Sequence, residues 1–261
     1  MNNANDKKTR KSGTIEPNAK KETSPSNTVS NVSPATHQNT PKASVGTQGA
    51  HDDVAKAPEH KAPENTNAGA SATKQLHGLR VAILATDGFE EAELAKPRKA
   101  LDEAGAKTTV LAPKAGEIQG FHHEQKAEKV SVDMELGAAK AADFDAVLLP
   151  GGAMNADALR MNGDAQKFVQ EMDKGGKPIA VICHAPWLLI SAGLTRGRKM
   201  TSYHTIQDDV RNSGATWEDA EVIRDHNWVS SRQPDDIPAF NREMISMFGE
   251  KREKSKSAVG R

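Results

Sequence analysis

Apolar residues fall along this chain in short unbroken runs that begin only at Leu79 and are separated by longer amphipathic or glycine-broken stretches. LRVAILA (79–85), KTTVLA (107–112), AVLL (146–149) and PIAVI (178–182) are aliphatic and poor in charge. Runs of that length without alternation predict strands buried on both faces, the habit of parallel sheets. Helical patterns lie between them. Residues 90–104 read as a helix closed by Gly105, with Pro97 inside it, and 157–173 as one ending at Gly175-Gly176. WLLISA follows Pro186 and stops at Gly193, which suits a helix entered on proline. Residues 116–133 alternate weakly and predict a small hairpin, and 136–142 a short helix. Further on, 199–202 reads as a strand and 206–212 as a helix. Residues 220–223 and 228–231 read as paired strands around the turn Asp225-His226-Asn227, and 237–248 as a closing helix. Strands alternating with helices give an α/β fold, a doubly wound and mostly parallel sheet sandwiched by helices.

Composition sets the boundaries of that domain. Residues 1–75 hold no Phe, Trp or Tyr and six of the thirteen prolines, among many Asn, Thr, Ser, Ala and Lys. Such a segment cannot bury enough apolar surface to offset its conformational entropy, so it reads as a disordered low-complexity tail. The folded domain is expected over 76–249, and 250–261 as a charged tail. Net charge is zero over the chain, but 76–249 carries 20 Lys and Arg against 26 Asp and Glu. An acidic domain argues against nucleic acid as the main partner, because phosphate neutralisation needs clustered basic side chains. One cysteine excludes an intramolecular disulfide. The basic start leads into no apolar core segment, and no run is long enough to cross a bilayer, so a cytoplasmic protein without membrane association is expected.

In doubly wound sheets, ligands collect beyond the carboxyl ends of the strands. Three such ends carry the candidate chemistry: 87–93, 151–157 and Cys183-His184. Cys183 sits on a strand-to-helix corner at the amino end of the next helix, where backbone amides favour negative charge and should ease ionisation of the thiol. The corner resembles the nucleophile elbow of hydrolases with sulfur in place of oxygen. A lone cysteine is otherwise a small buried apolar residue. Glu90, beside Phe89, is the first candidate partner, since burial there would keep it protonated and able to move a proton. It reads equally as an acid that starts a helix, and Glu91 and Glu93 read as ordinary first-turn acids. The amides of Gly152 and His184 are candidates for an oxyanion pocket. His184 directly follows Cys183, and adjacent side chains pair only with special backbone geometry. His122 and His123 have no ligand spacing around them, so no metal is expected, and the glycines form no dinucleotide or phosphate-loop fingerprint.

The segments TDGFEEAEL, FDAVLLPGG, GKPIAVICHAP, LISAGLTRGRKMTSY, DAEVIRDHNWVSSR and PDDIPAFNREM resemble, in order and spacing, the PfpI family of the class I glutamine amidotransferase-like superfamily. The resemblance runs from about Arg80 to Phe248 and implies a flavodoxin-like fold. It implies Cys183 as nucleophile, His184 as its triad neighbour, Glu90 as the acid bonded to the thiol, and oxyanion amides from Gly152 and His184. It places Tyr203 near the pocket, and makes Asp157, donated by a second subunit, the third triad member. Asp157 stands in a loop one residue longer than usual and replaces Glu. Ala185 replaces the usual glycine after the Cys-His pair, and RDHNW lacks the His-x-Glu pair of a true amidotransferase. The activity implied is that of a cofactor-independent cysteine enzyme acting on small aldehydes or glycated substrates, of glyoxalase III or deglycase type, in a homodimer or larger assembly. An intracellular peptidase using Cys183, His184 and Asp157 is the alternative, and a redox-sensing or chaperone-like stress protein the second alternative.

Overall fold

A computed structural model describes residues 75–259. The expected tail over 1–75 lies outside them, save Gln75. In chain order the elements are β1 (Arg80–Leu84), β2 (Phe89–Glu90), α1 (Glu91–Glu103), β3 (Lys107–Ala112), β4 (Glu117–His122) and β5 (Gln125–Ser131). Then come β6 (Met134–Glu135), β7 (Ala146–Leu149), α2 (Ala153–Arg160), α3 (Gly163–Lys174), β8 (Ile179–Ile182) and α4 (Pro186–Ser191). The last are β9 (Lys199–Met200), α5 (Gln207–Asn212), β10 (Thr216–Trp217), β11 (Val222–Asp225), β12 (Trp228–Ser231) and α6 (Ile237–Val259).

Seven strands form the central sheet in the order β11-β12-β8-β7-β1-β3-β6. All neighbours run parallel except the β11–β12 hairpin. Because successive side chains point to opposite faces, the apolar runs divide between two cores. Val81 and Ile83 of β1, with Ala180 and Ile182 of β8, pack under Leu94 and Leu101 of α1 and Phe240, Met244 and Phe248 of α6. Ala82, Leu84, Ile179 and Val181 face the other way, against Leu159, Phe168, Val169, Met172, Leu188 and Leu189 from α2, α3 and α4. This is the doubly wound sandwich expected from the apolar runs.

Differences from the sequence reading have local causes. The helix expected over 157–173 is two. α2 starts earlier, directly after Gly152, and the Asn162 side chain accepts from the Ala165 amide at 2.9 Å, capping a separate α3. Residues 136–142 make two short 3-10 turns rather than a helix. The strand expected over 199–202 is only Lys199–Met200, and it pairs with Thr216–Trp217 outside the main sheet. The closing helix runs on to Val259 instead of stopping at Phe248. The weakly alternating hairpin is β4–β5, and β2 joins it as a third strand. Among the described residues no helix is long and apolar enough to cross a membrane.

α6 closes one face of the sheet with Phe240, which is fully buried. Truncation to alanine removes most of a core ring, and Phe240→Ala should cost about 3–5 kcal/mol of unfolding free energy in urea titrations. A loss within experimental error would mean that α6 is not part of the core.

Candidate active site

The loops after β1, β7 and β8 are tied into one structure above the carboxyl ends of the sheet. Asn155 of α2 is fully buried and clamps two of them. Its Oδ1 accepts from the Thr86 amide at 2.8 Å, and its Nδ2 donates to the carbonyls of Pro150 and Gly151 at 2.9 and 3.0 Å. The Glu90 amide adds a bond to the Gly151 carbonyl. The hairpin β4–β5 docks alongside. Phe89 and Glu90 pair in parallel with Gly120 and Phe121, and the Asp87 carboxylate accepts from the Gln119 amide at 2.7 Å. These loops border a cleft of about 670 Å³, and Glu90, Glu93, Gly152, Cys183, His184 and Tyr203 are among its walls.

Cys183 lies at the base with a backbone φ of 63°, the left-handed region that side chains rarely adopt. The corner is held on three sides. The Cys183 amide donates to the Ser231 carbonyl at 3.1 Å, the Tyr203 amide donates to the Cys183 carbonyl at 2.9 Å, and the Ala185 amide closes a turn on Ile182. The positive φ turns two adjacent side chains toward each other. Cys183 Sγ and His184 Nδ1 stand 3.1 Å apart, the special geometry that a Cys-His neighbour pair needs. His184 is packed edge-on against Trp187 and tilted against Tyr203. Its outer nitrogen, Nε2, lies 3.2 Å from the Thr205 hydroxyl.

The acid beside the sulfur is Glu93, not Glu90. Glu93 is fully buried, and its Oε2 accepts from the Gly151 amide at 2.9 Å. The carboxyl shares a hydrogen bond with the thiol of Cys183, while Oε1 has no hydrogen-bond partner among the described residues. Glu90 instead precedes the helix, in β2. Its Oε2 accepts from the His123 amide at 3.1 Å, so it holds the hairpin tip, where His123 also has positive φ. The reason is helical periodicity. Glu93, Pro97 and Leu101 recur at intervals of four and are all buried, so Glu93 rides on the inward stripe of α1. That spacing is visible in the sequence and identifies Glu93 as an inward-facing acid.

The glycines serve close approach. A Cβ on Gly151 would come within 2.5 Å of Glu93 Oε2 and 2.6 Å of Cys183 Cβ. Gly152 has φ 89°, and a Cβ there would meet the Glu90 amide at 2.7 Å. The amides of Gly152 and His184 both point at the sulfur. Asp157 is exposed on α2 and is not among the residues lining the cleft. Among the described residues no group of three or more His, Cys, Asp or Glu side chains is placed to hold a metal ion.

Burial governs the electrostatics. It pushes the Glu93 carboxyl up to about 8, more than its bonds to Cys183 and Gly151 can pull it down, so the acid is neutral at pH 7. The thiol is also pushed up, first by burial and then by charge on Glu93, against the pull of the Gly152 and His184 amides. The expectation of a readily ionised thiol is therefore corrected: amides at the corner do not outweigh the water removed from the sulfur. Burial lowers His184, helped by charge on His204, so its imidazole is neutral and free to accept a proton.

Residues 79–247 match the DJ-1/PfpI family. The chain belongs to that family. A deglycase of Thermococcus kodakarensis is 44% identical over 170 residues, which cover 65% of this chain and 99% of that protein. Protein/nucleic acid deglycase 2 of Escherichia coli is 40% identical over 172 residues, covering 65% and 98%. Drosophila melanogaster DJ-1beta superposes with a TM-score of 0.60 at 26% identity, covering 69% of this chain and 97% of that one. The DJ-1/PfpI domain of this chain thus carries its single cysteine at the focus of the three strand ends.

A raised carboxyl makes stability depend on pH. The folded chain keeps a proton on Glu93 between its ordinary value of 4.5 and about 8, so that part of the stability is complete below 4.5 and lost as pH rises through 8. The melting temperature of the native protein should therefore fall, relative to Glu93→Gln, as pH climbs across that window. Parallel curves for the two proteins would refute the burial of a neutral acid at this position.

Proposed function

We propose that this protein is a cofactor-independent cysteine enzyme of the cytoplasm that converts reactive small carbonyls, or the adducts they form on amines and thiols, to hydroxy acids. The observation that carries the reading is the pairing of Cys183, on its positive-φ corner, with a buried neutral carboxyl from Glu93. In this reading the sulfur adds to the aldehyde carbon while His184 Nδ1 takes the thiol proton. Glu93 gives its proton to the aldehyde oxygen, and a hemithioacetal forms with Glu93 left as a carboxylate. The amides of Gly152 and His184 stand beside the sulfur to hold the developing oxygen charge. The Glu93 carboxylate then takes the proton from the former aldehyde carbon and returns it to the neighbouring carbonyl carbon, while the hydroxyl proton passes to that carbonyl's oxygen, which leaves a thioester. Water hydrolyses the thioester, His184 returns its proton to the leaving sulfur and the product acid reprotonates Glu93, so methylglyoxal plus water becomes lactate and the thiol is regenerated.

The deglycase names of the relatives support this class, and so does the cleft, whose volume is several times that of a three-carbon aldehyde and leaves room for the group carrying an adduct. The role first read for Glu90 passes to Glu93, and Glu90 is left as the clamp of the hairpin rim. Peptide hydrolysis has less behind it. Its acid, Asp157, would have to arrive from a second subunit, and the outer nitrogen of His184 is already taken by Thr205.

Lactate release from methylglyoxal tests the proposal. Cys183→Ala should abolish it, and Glu93→Gln should lower kcat by about 100-fold or more, the usual worth of a positioned proton relay. Glu90→Gln should lose about tenfold or less, the worth of one hydrogen bond at the rim. Lactate formation that persists in Cys183→Ala would overturn the mechanism.

A further inference from the structure

We infer that Thr205 is the positioning residue of the Cys183–His184 pair, so that the imidazole is oriented from within the chain by a hydroxyl and not by a carboxylate. This rests on the reading of Cys183 as nucleophile. The two ring nitrogens of His184 have different partners. Nδ1 faces Sγ at 3.1 Å, and Nε2 faces Thr205 Oγ1 at 3.2 Å. A neutral imidazole carries one proton, and whichever nitrogen holds it leaves the other as acceptor. A base for the thiol needs its lone pair on Nδ1, which requires the proton on Nε2. A hydroxyl accepts a hydrogen bond from such an N–H, and it does so without placing a negative charge near the buried Glu93.

The surroundings assign this task to Thr205. Trp187 and Tyr203 flank the ring with aromatic faces and edges and fix its plane, but the structure shows neither bonding Nε2. The titratable or charged groups near the ring are Cys183, Glu93, Tyr203 and His204, with Asp209 and Arg160 reaching it only through Trp187. Asp209 is bonded to Trp187 Nε1 at 2.8 Å, and Arg160 lies over that indole. The contact needs its own turn of chain. Thr205 sits in the 3-10 turn His204–Ile206, which is fixed to the corner by the Tyr203 amide on the Cys183 carbonyl.

Alkylation of the single cysteine by iodoacetamide reads this relay without any substrate, so it remains informative even if methylglyoxal is not turned over. Thr205→Val should slow alkylation at pH 7 about three- to tenfold, as the loss of one hydrogen bond would, and should move the pH–rate profile upward. Thr205→Ser should restore both. Nitrogen-15 NMR of His184, assigned with His184→Asn, should show the Nε2–H tautomer in the native protein and in Thr205→Ser, and mixed tautomers in Thr205→Val. The proposal is overturned if Thr205→Val alkylates like the native protein with its tautomer unchanged. Equal losses in the valine and serine variants, or a profile moved by Asp157→Asn and not by Thr205→Val, would overturn it as well.

Discussion

The site depends on one backbone constraint: a non-glycine residue held at φ 63° between the parallel strand β8 and the helix that follows it. Such a conformation costs about 1–3 kcal/mol and persists only where its surroundings impose it. Here the surroundings are β12 on one side, through Ser231, and the segment after β9 on the other, through Tyr203. Both are spent on the corner, and the return is geometric. The sulfur points up into the cleft while its carbonyl and amide are satisfied, and the next side chain, His184, folds back onto it. A helix or an extended strand at this position would set those two side chains apart.

The second constraint is the burial of the sulfur. Glu93 and Cys183 share a hydrogen bond in a space closed by Gly151, where a single added methyl would collide with both. Burial keeps the acid protonated, and an acid that is neutral near pH 7 can move a proton without first having to win one from solvent. The same burial discourages a free thiolate, which is why the proposed mechanism has His184 remove the thiol proton as the sulfur adds. Its own lowered basicity keeps the ring neutral and available. The three groups thus form a small network in which each protonation state is set by packing.

The sheet was legible because burial on both faces leaves no ambiguity. Lys107–Ala112 and Ala146–Leu149 read from their apolar runs as they occur, and Trp228–Ser231 from its place after the turn Asp225-His226-Asn227. So was the focus of the site, since the chain reverses beyond three strand ends and the only cysteine stands at one of them. What escaped was direction. Glu90 adjoins Phe89 and so reads as the buried acid, whereas the interval Glu93–Pro97–Leu101 is the signal that turns a first-turn acid inward. The cap at Asn162 was equally readable but was masked by apolar residues that continue across it. Thr205 carried no signal at all: a hydroxyl three-dimensionally next to a histidine 21 positions away has no pattern in sequence. Asp157 is exposed on α2, away from the sulfur of its own chain, and the role expected of it is one donated by a second subunit.

The central claim is that a protonated carboxyl from Glu93 sits beside the thiol at neutral pH. Difference infrared spectroscopy of the native protein against Glu93→Gln isolates the carbonyl stretch of that one acid. The account predicts a protonated-acid band that persists through pH 7 and gives way to carboxylate only near 8, unchanged in Glu90→Gln. A band that titrates at the ordinary 4.5, or that vanishes in Glu90→Gln instead, would contradict it.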